Sequence, residues 1–407
     1  MRLSTSMIND AAVSAILQDQ ASLARTQTQL SSGKSVNTPA DNPVAAVQIL
    51  ALNNVSSQYQ QYLSNGQSAT TRLNLQEQAL SDSTTTLQSI RDLVVQANSG
   101  INNTSDYQSI ATQVQSLELQ LQGIANRQDA LGDYLFSGYS AGTQPFVRSA
   151  TGTMSYVGDS GARVIQLDSG TSVQLGDPGS SIYMGITTGN GTFTTGAGNA
   201  NTGTGVVDAG SVTNPASWVP GQYTITFTDA THWAVRDSSG NAVTDASGTP
   251  VTGTYSAGSG GTISFDGIQV GITGAPAAGD TFVVSSSGKE SVFDTLDRLV
   301  SNLKSASGSA ASRAQLSSSL GGSLQQIDQA LAQVSKVTSN VGARISLIST
   351  TATALNNQST SVATQISKLG DVDYVKATAL YSQQYLALQA AQSSYAQIAQ
   401  LTLFKYL

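Results

Sequence analysis

The chain of 407 residues contains no cysteine, one histidine and few charged residues, which make up 11% of its length. Without cysteine it cannot form disulfides, iron–sulfur clusters, thiolate zinc sites or a cysteine nucleophile. A single histidine cannot supply a histidine-rich metal site. The composition therefore predicts a protein without cofactors or metal centres.

Positive charge and long apolar runs are also scarce. The chain has 18 Lys and Arg residues and a formal net charge of −7, whereas duplex nucleic acid is bound by clustered basic charge. No run approaches the roughly 18 apolar residues of a membrane span. Residues 1–10 also lack the apolar stretch of a cleavable secretory signal. We therefore expect neither nucleic acid nor membrane as a partner.

A glycine-rich stretch separates two glycine-poor flanks. Residues 146–285 hold 25 of the 38 glycines, five of the eight prolines and six of the seven net negative charges. Alternating runs such as Gln222–Phe227 and Thr281–Val284 predict half-buried strands, and the intervening Gly, Asn and Pro residues predict turns. We predict an α+β fold in which an antiparallel β-rich domain is inserted into a helical chain.

Both flanks repeat with a period of seven residues, which predicts long helices packed side by side. Apolar residues recur at every seventh position from Leu320 to Leu369, and one helix of that length would extend about 75 Å. The same period runs through the first flank, where Gln76 and Ser83 are polar interruptions of the companion series. The residues that define this bundle seam are Leu73, Leu80, Leu87, Val94, Leu320, Ile327, Val334, Val341, Ile348, Leu355 and Val362.

Each end of the chain carries a narrow apolar stripe beyond these long helices. An isolated helix with a narrow stripe is marginally stable in water and needs a partner. The two ends are therefore expected to pair with each other, with other copies of the chain, or with both. The predicted self-assembly residues are Ile16, Leu23, Leu30, Tyr374, Tyr381, Leu388, Tyr395, Ile398 and Leu403.

Signals for catalysis are weak. The Ser32–Ser35 fragment lacks the earlier glycine of a phosphate-binding loop, because Thr28 stands there, and a helix-ending glycine at Gly33 is the better interpretation. His232 lies near Asp229 but without a nucleophile-elbow pattern. A secreted enzyme with a β-rich catalytic domain would need His232 or an Asp cluster in a cleft. We predict no catalytic residues and no enzyme.

Motifs at both ends resemble those of the bacterial flagellin superfamily. They are Leu30–Pro43, Val341–Arg344, Gly370–Tyr374 and the closing Leu401–Leu407. The resemblance covers both flanks, whereas we recognise no motif in the insert. The signature residues are Ser32, Gly33, Lys34, Pro39, Asp41, Pro43, Gly342 and Arg344.

Within the superfamily, the start Arg2–Met7 and the end Phe404–Leu407 are more similar to hook–filament junction proteins than to filament-forming flagellins. Flagellin remains the alternative. A secreted rod-like structural protein is a more distant one, because it would share the seam and the insert without both signatures.

The resemblance implies a secreted structural protein at the hook–filament junction of the bacterial flagellum. It implies type III export, with export information near Met1–Asp10. The implied partners are copies of the chain in a ring, the preceding hook-associated junction protein on the hook side and flagellin on the filament side. A cytoplasmic export chaperone is expected to bind within Asp371–Leu407.

The resemblance also implies three layers. Residues 1–40 and 371–407 would form terminal helices of an inner core layer, poorly ordered in the monomer. Residues 41–145 and 286–370 would form the long helical bundle, and the β-rich domain 146–285 would project outward.

Overall fold

The computed structural model of the chain describes residues 5–150 and 152–400, except for the side chains of residues 5, 6, 8 and 398–400. The helices are α1 (Thr5–Ser32), α2 (Pro43–Ala97), α3 (Thr104–Ala125), α4 (Val292–Ser305), α5 (Ala310–Gly370) and α6 (Tyr374–Gln400). Gly33, with a φ of 71°, directly follows α1, so the predicted helix-ending glycine is confirmed.

The strands all lie between α3 and α4, and their pairings are antiparallel. They are β1 (Phe146–Arg148), β2 (Met154–Tyr156), β3 (Val164–Gln166), β4 (Ser172–Gln174), β5 (Ile186–Thr187), β6 (Phe193–Ala197), β7 (Val206–Val207), β8 (Ser211–Val212), β9 (Gln222–Phe227), β10 (His232–Asp237), β11 (Thr252–Thr254), β12 (Gly261–Phe265), β13 (Ile268–Thr273), β14 (Thr281–Ser286) and β15 (Lys289–Glu290). The prediction of helical flanks around an inserted antiparallel β-rich domain is confirmed.

The larger sheets pack around one apolar core. A five-stranded sheet has the order β11-β10-β9-β14-β6, and a second has the order β12-β13-β7, with β8 also on β13. Alternate residues of the strands, such as Ile225 and Val270, are fully buried in the shared core. Asp266 and Gly267 form the two-residue turn between β12 and β13 with positive φ at both positions, as this hairpin type requires.

The chain divides into two compact units. The terminal unit comprises Met1–Gly66 and Thr350–Leu407, and the central unit comprises Gln67–Ser349. The terminal unit therefore contains α1, the first part of α2, the last part of α5 and α6.

The central unit has two hydrophobic cores. The first joins α2, α3, α4 and α5 and includes Phe146, Tyr183 and Ile186 from the strand-rich stretch. The second begins at Phe193 and ends at Val284. The glycine-rich composition begins at Phe146, whereas the second core begins only at Phe193. The two boundaries differ because β1 to β5 and their turns pack on the helices.

Local chemistry accounts for the helix starts. The side chain of Asn42 accepts a hydrogen bond from the Ala45 N–H at 3.1 Å, and Pro43 occupies the first helical position of α2, where its missing N–H costs nothing. Asn103 and Asp106 form a reciprocal capping box at α3, which satisfies otherwise unpaired backbone donors.

Candidate assembly site

In the terminal unit, α1 and α6 pack against each other. The Thr26 hydroxyl is buried between them and lies 2.7 Å from Gln384 Oε1, to which it donates a hydrogen bond. Among the predicted self-assembly residues, Ile16, Leu23, Leu30, Tyr381 and Tyr395 are half-buried, Leu388 is 9% exposed and Tyr374 is 56% exposed. Ile398 and Leu403 lie outside the described side chains.

The paired helices leave a second set of apolar side chains in solvent. Except for Tyr385, which accompanies the C-terminal stripe, these side chains belong to residues off the predicted stripes, so the heptad pattern missed them. They are Met7, Val13 and Leu17 on α1 and Val375, Leu380, Tyr385 and Leu386 on α6. Leu17 is 59% and Leu386 63% exposed, so both helices of the pair contribute large apolar side chains to the surface.

The signature residues after α1 are joined to the turn between α5 and α6. The Ser35 N–H donates to the Gly370 carbonyl at 2.7 Å, and the Val372 N–H donates to the Gly33 carbonyl at 3.0 Å. These bonds tie the connection between α1 and α2 to the connection between α5 and α6. A Cβ on Gly33 would lie 3.1 Å from the Tyr374 hydroxyl, so close approach as well as positive φ favours glycine here.

An ion pair reinforces the same connection. Lys34 Nζ lies 2.5 Å from Asp371 Oδ1, and the Ser367 hydroxyl donates to the other carboxylate oxygen. The hydrogen bonds from Lys34 and then Ser367 lower the pKa of Asp371 below its usual value. The Ser32 hydroxyl accepts from the Lys34 N–H at 3.2 Å.

Asp41 organises the remainder of this connection. Its Oδ2 accepts from the N–H groups of Asn37, at 3.1 Å, and Thr38, at 2.8 Å. These bonds, the Thr38 backbone bond first, lower the pKa of Asp41. Arg25 lies 3.8 Å from the same carboxylate. Pro39 and Pro43, on either side of Asp41, are exposed.

The bundle-seam residues are all buried. In the central unit, those from α2 and those from α5 up to Ile348 contribute to a single core. In the terminal unit, Leu355 and Val362 are 4% and 7% exposed. Contacts between subunits through these long helices remain a prediction.

Both polar interruptions of the α2 series have partners from the segment that packs on the helices. Gln76 Nε2 donates to Asp177 Oδ2 at 2.8 Å, and the Ser83 hydroxyl lies 2.7 Å from the Tyr183 hydroxyl. Burial raises the pKa of Tyr183 to about 12. The interruptions in the heptad pattern were the sequence signal for these contacts, but they did not identify the partners.

The second signature, around Gly342 and Arg344, contacts the segment that contains Asp177 and Tyr183. Arg344 donates from Nη1 and Nη2 to the two oxygens of Asp177, each at 2.8 Å. Paired donation of this kind fixes the guanidinium plane. Gly342 is half-buried, and a Cβ there would meet nothing within 4 Å, so packing within the chain does not require glycine.

The residues considered as catalytic candidates are not brought together in a site. His232 is exposed, with Nδ1 2.9 Å from Asp229 Oδ2, and neither residue lines any of the three main pockets of the described residues. Within residues 5–150 and 152–400, no group of three or more His, Asp or Glu side chains is placed to hold a metal ion. In the same part of the chain, no helix has the length and apolar character needed to cross a membrane.

Paired helices from the two ends of the chain, with a strand-rich insert between them in the sequence, define a flagellin-type protein. The family of the bacterial flagellin N-terminal helical region matches residues 3–141, and that of the C-terminal helical region matches residues 324–407. Within the insert, the D2-like domain family of flagellar hook-associated protein 1 matches residues 197–286.

Individual relatives indicate which group within the flagellin superfamily the chain is most similar to. Flagellar hook-associated protein 3 of Salmonella typhimurium (strain LT2) is 34% identical over 188 residues, which cover 46% of this chain and 58% of the relative. The match thus spans little more than half the length of that relative.

Solved structures match over more of the chain. Hook-associated protein 3 of Legionella pneumophila is 32% identical with a TM-score of 0.74, covering 79% of this chain and 98% of that one. FlgL of Xanthomonas campestris is also 32% identical, with a TM-score of 0.70 and coverages of 77% and 98%. The chain therefore belongs to the flagellar hook-associated protein 3 family of the flagellin superfamily. The members of that family are structural proteins. The resemblance to the flagellin superfamily that the sequence indicated is therefore confirmed by these matches.

Proposed function

We propose that the chain is a structural adaptor between the flagellar hook and the flagellar filament. The observation that carries the proposal is the apolar surface left exposed by the α1–α6 pair, in particular Leu17, Val375 and Leu386. Exposed apolar surface of this kind is typical of protein–protein contact sites. Support also comes from a solved relative described as the flagellar junction protein FlgL of Legionella pneumophila.

Assembly would proceed by association of the paired terminal helices of neighbouring copies into an inner layer. Residues 41–145 and 286–370 would pack laterally outside that layer, and the β-rich domain would project outward. In the free monomer, residues 1–40 and 371–407 would be poorly ordered, because a single helix pair buries little apolar area. Amide hydrogen exchange on the monomer tests this, and strong protection throughout Ile16–Leu30 and Tyr374–Ile398 would contradict it.

The same proposal includes the route and the partners. The chain would be secreted through the flagellar type III apparatus and would form a ring between the preceding hook-associated protein and flagellin. A cytoplasmic chaperone would cover residues within Asp371–Leu407 before export. The absence of cysteine suits passage through a narrow channel in an unfolded state, because no crosslink can form.

Electron microscopy distinguishes the junction from the filament. Gold-labelled antibody against the β-rich domain is expected to give one narrow band where the hook meets the filament. Label along the entire filament would identify the protein as a flagellin instead. Absence of label from flagella, with label elsewhere outside the cell, would favour another secreted structural protein.

A pair of matched variants tests the assembly surface. Leu386 and Gln389 are both exposed on α6, so aspartate at either position should leave the central unit of the monomer folded. Leu386→Asp is expected to abolish filament attachment, because a charge would be placed in an apolar subunit contact. Gln389→Asp should leave motility intact. Normal swimming of cells that carry only the Leu386→Asp protein would refute the role of this surface.

A further inference from the structure

Three charged side chains from three different elements meet where α3, α4 and β1 pack together. Arg148 of β1 donates from Nη1 to both carboxylate oxygens of Asp297 on α4, at 2.9 and 3.1 Å, and from Nη2 to Glu118 Oε1 on α3. Nη1 also donates to the Gly152 carbonyl in the turn between β1 and β2. One guanidinium therefore joins α3, α4 and the β1–β2 hairpin.

This cluster contains two acids and one base. Glu118 is 4% exposed, and the side chain of Asp297 is 38% exposed. The single cation of Arg148 can balance only one of the two carboxylates. A buried carboxylate that lacks a cation of its own is costly, so the pair is expected to hold a proton instead.

The surrounding charges do not supply the missing cation. The groups that act directly on Glu118 are Asp297 of α4 and Arg148 of β1. The next charged groups, on α4 and β15, are Lys304, Arg298, Asp294 and Glu290. Lys304 donates to Gln115 of α3 at 3.0 Å, and Arg298 pairs with Glu290 at 2.7 Å, so each of these cations has a partner of its own. Asp294 is a further acid, and burial and then the charge of Glu290 raise its pKa.

The environment of Glu118 favours its neutral form. Burial and then the charge of Asp297 raise the pKa of Glu118 from 4.5 to about 7, and Arg148 offsets this only in part. Because two interacting carboxyl groups titrate together, the proton belongs to the Glu118–Asp297 pair. The chain has one histidine and no cysteine, so few of its other groups titrate in this range.

We propose that Glu118, Arg148 and Asp297 form a pH switch in the helical core, which joins α3, α4 and β1 firmly while the carboxyl pair holds one proton. In that state one carboxylate is balanced by one guanidinium. Loss of the proton near neutral pH leaves an uncompensated negative charge at the contact of α3 and α4, which weakens the contact. The central unit should therefore become easier to unfold as pH rises. This inference does not depend on the junction role.

The folded and unfolded states hold this proton over different pH ranges. The unfolded chain holds it only below the ordinary pKa of 4.5, whereas the folded chain keeps it up to a pKa of about 7. The stability that the proton supplies is therefore complete below pH 4.5 and is lost as pH rises through 7. Between these values unfolding releases one proton, so the equilibrium constant of unfolding should rise about tenfold per pH unit.

Urea denaturation of the full-length protein between pH 5 and pH 8 tests the switch, with Glu118→Gln as the variant that imitates the protonated carboxyl group. The ratio of the wild-type unfolding constant to that of the variant should increase at least tenfold from pH 5 to pH 8. His232 is common to both proteins, so the ratio isolates Glu118. An ordinary stabilising ion pair between Glu118 and Arg148 predicts the opposite trend. A ratio that stays constant or falls as pH rises would overturn the proposal.

Two further variants and a local measurement sharpen the test. Asp297→Asn leaves Arg148 to Glu118 alone, so unfolding should depend less steeply on pH between 5 and 7 than in the wild type. Glu77→Gln, at an exposed position of α2, should keep the wild-type dependence. At pH 8 the amides of β1 and β2 should exchange faster in the wild type than in the Glu118→Gln protein. Equal exchange of these amides in the two proteins would refute the control of the hairpin by this cluster.

Discussion

Arg344 and Asp177, separated by 167 positions, form a bidentate ion pair whose two N–O distances are both 2.8 Å. Their side chains are only 18% and 15% exposed, and Gln76 donates to the same carboxylate. One carboxylate thus holds α5, α2 and the turn before residues 180–184 together. This contact explains the signature residue Arg344, although not its neighbour Gly342.

Removal of the guanidinium should destabilise the central unit. Arg344→Ala leaves the carboxylate of Asp177 largely buried with one remaining donor, so we expect a loss of about 2–3 kcal/mol in the free energy of unfolding, somewhat below the cost for a fully buried pair. Urea denaturation measures it. Arg313→Ala, at an exposed position of the same helix, should have almost no effect. Equal stabilities of the two variants would contradict the role of the pair.

Tyr183 should make stability sensitive to alkaline pH. Burial raises the pKa of Tyr183 to about 12 from an ordinary value of 10.0, so the unfolded state loses its proton first. The stability contributed by the neutral phenol is complete below pH 10 and is lost as pH rises toward 12.

Tyr183→Phe removes this titration and one hydrogen bond to Ser83, at a cost of about 1 kcal/mol at neutral pH. The free energy of unfolding of the variant should therefore fall less steeply between pH 10 and 12 than that of the wild type. Tyr139→Phe, at a residue 63% exposed, should retain the wild-type slope. Identical slopes in all three proteins would show that Tyr183 ionises as easily in the folded state as in the unfolded state.

The connection between Lys34 and Asp371 should weaken in acid. The lowered pKa of Asp371 means that its charged form stabilises the folded state, so the contribution is present above the ordinary carboxyl pKa of 3.8 and is lost as pH falls below it. Amide exchange at Ser35 and Val372, whose N–H groups bond across the connection, reports on it.

Lys34→Met should accelerate exchange at Ser35 and Val372 at pH 7, and the difference from the wild type should shrink as pH falls below 3.8 and Asp371 takes up a proton. Lys376→Met, at an exposed lysine of α6, is the control and should leave both amides unchanged. Unaltered exchange in the Lys34→Met protein at pH 7 would show that the backbone bonds alone hold the connection.

The segment that forms the second hydrophobic core should be removable without unfolding the helical core. Thr188 and Gly288 are joined by a 3.1 Å backbone hydrogen bond, so residues 189–287 can be replaced by a short glycine linker. The helical core contains no residue of the second core, and the shortened protein should remain folded by circular dichroism and cooperative urea unfolding. Deletion of 146–285 removes Phe146 and Tyr183 from the helical core and should prevent folding. If the protein lacking 146–285 folds and the protein lacking 189–287 does not, the boundary between the two cores at residues 188 and 288 is wrong.

Much of the architecture follows from local patterns. The seven-residue period depends only on the geometry of α-helices that pack side by side, and every seam residue is buried. The strands Gln222–Phe227 and Thr281–Ser286 were visible as alternating runs because one face of each is buried. The ends of the chain carried motifs specific enough to indicate the family.

Other features depend on contacts between residues far apart in the chain, which periodicity does not encode. Composition placed the start of the β-rich domain at Phe146, but β1 to β5 pack on the helices, since aromatic residues such as Phe146 and Tyr183 fill the helical core. The partners of Gln76 and Ser83 and the apolar surface left exposed by the α1–α6 pair likewise required the tertiary structure. The sequence by itself determined the helices, the strands and the family, because these depend on neighbours along the chain. Only the tertiary structure decided which polar groups are paired and which apolar ones stay exposed, because both depend on what folding brings together.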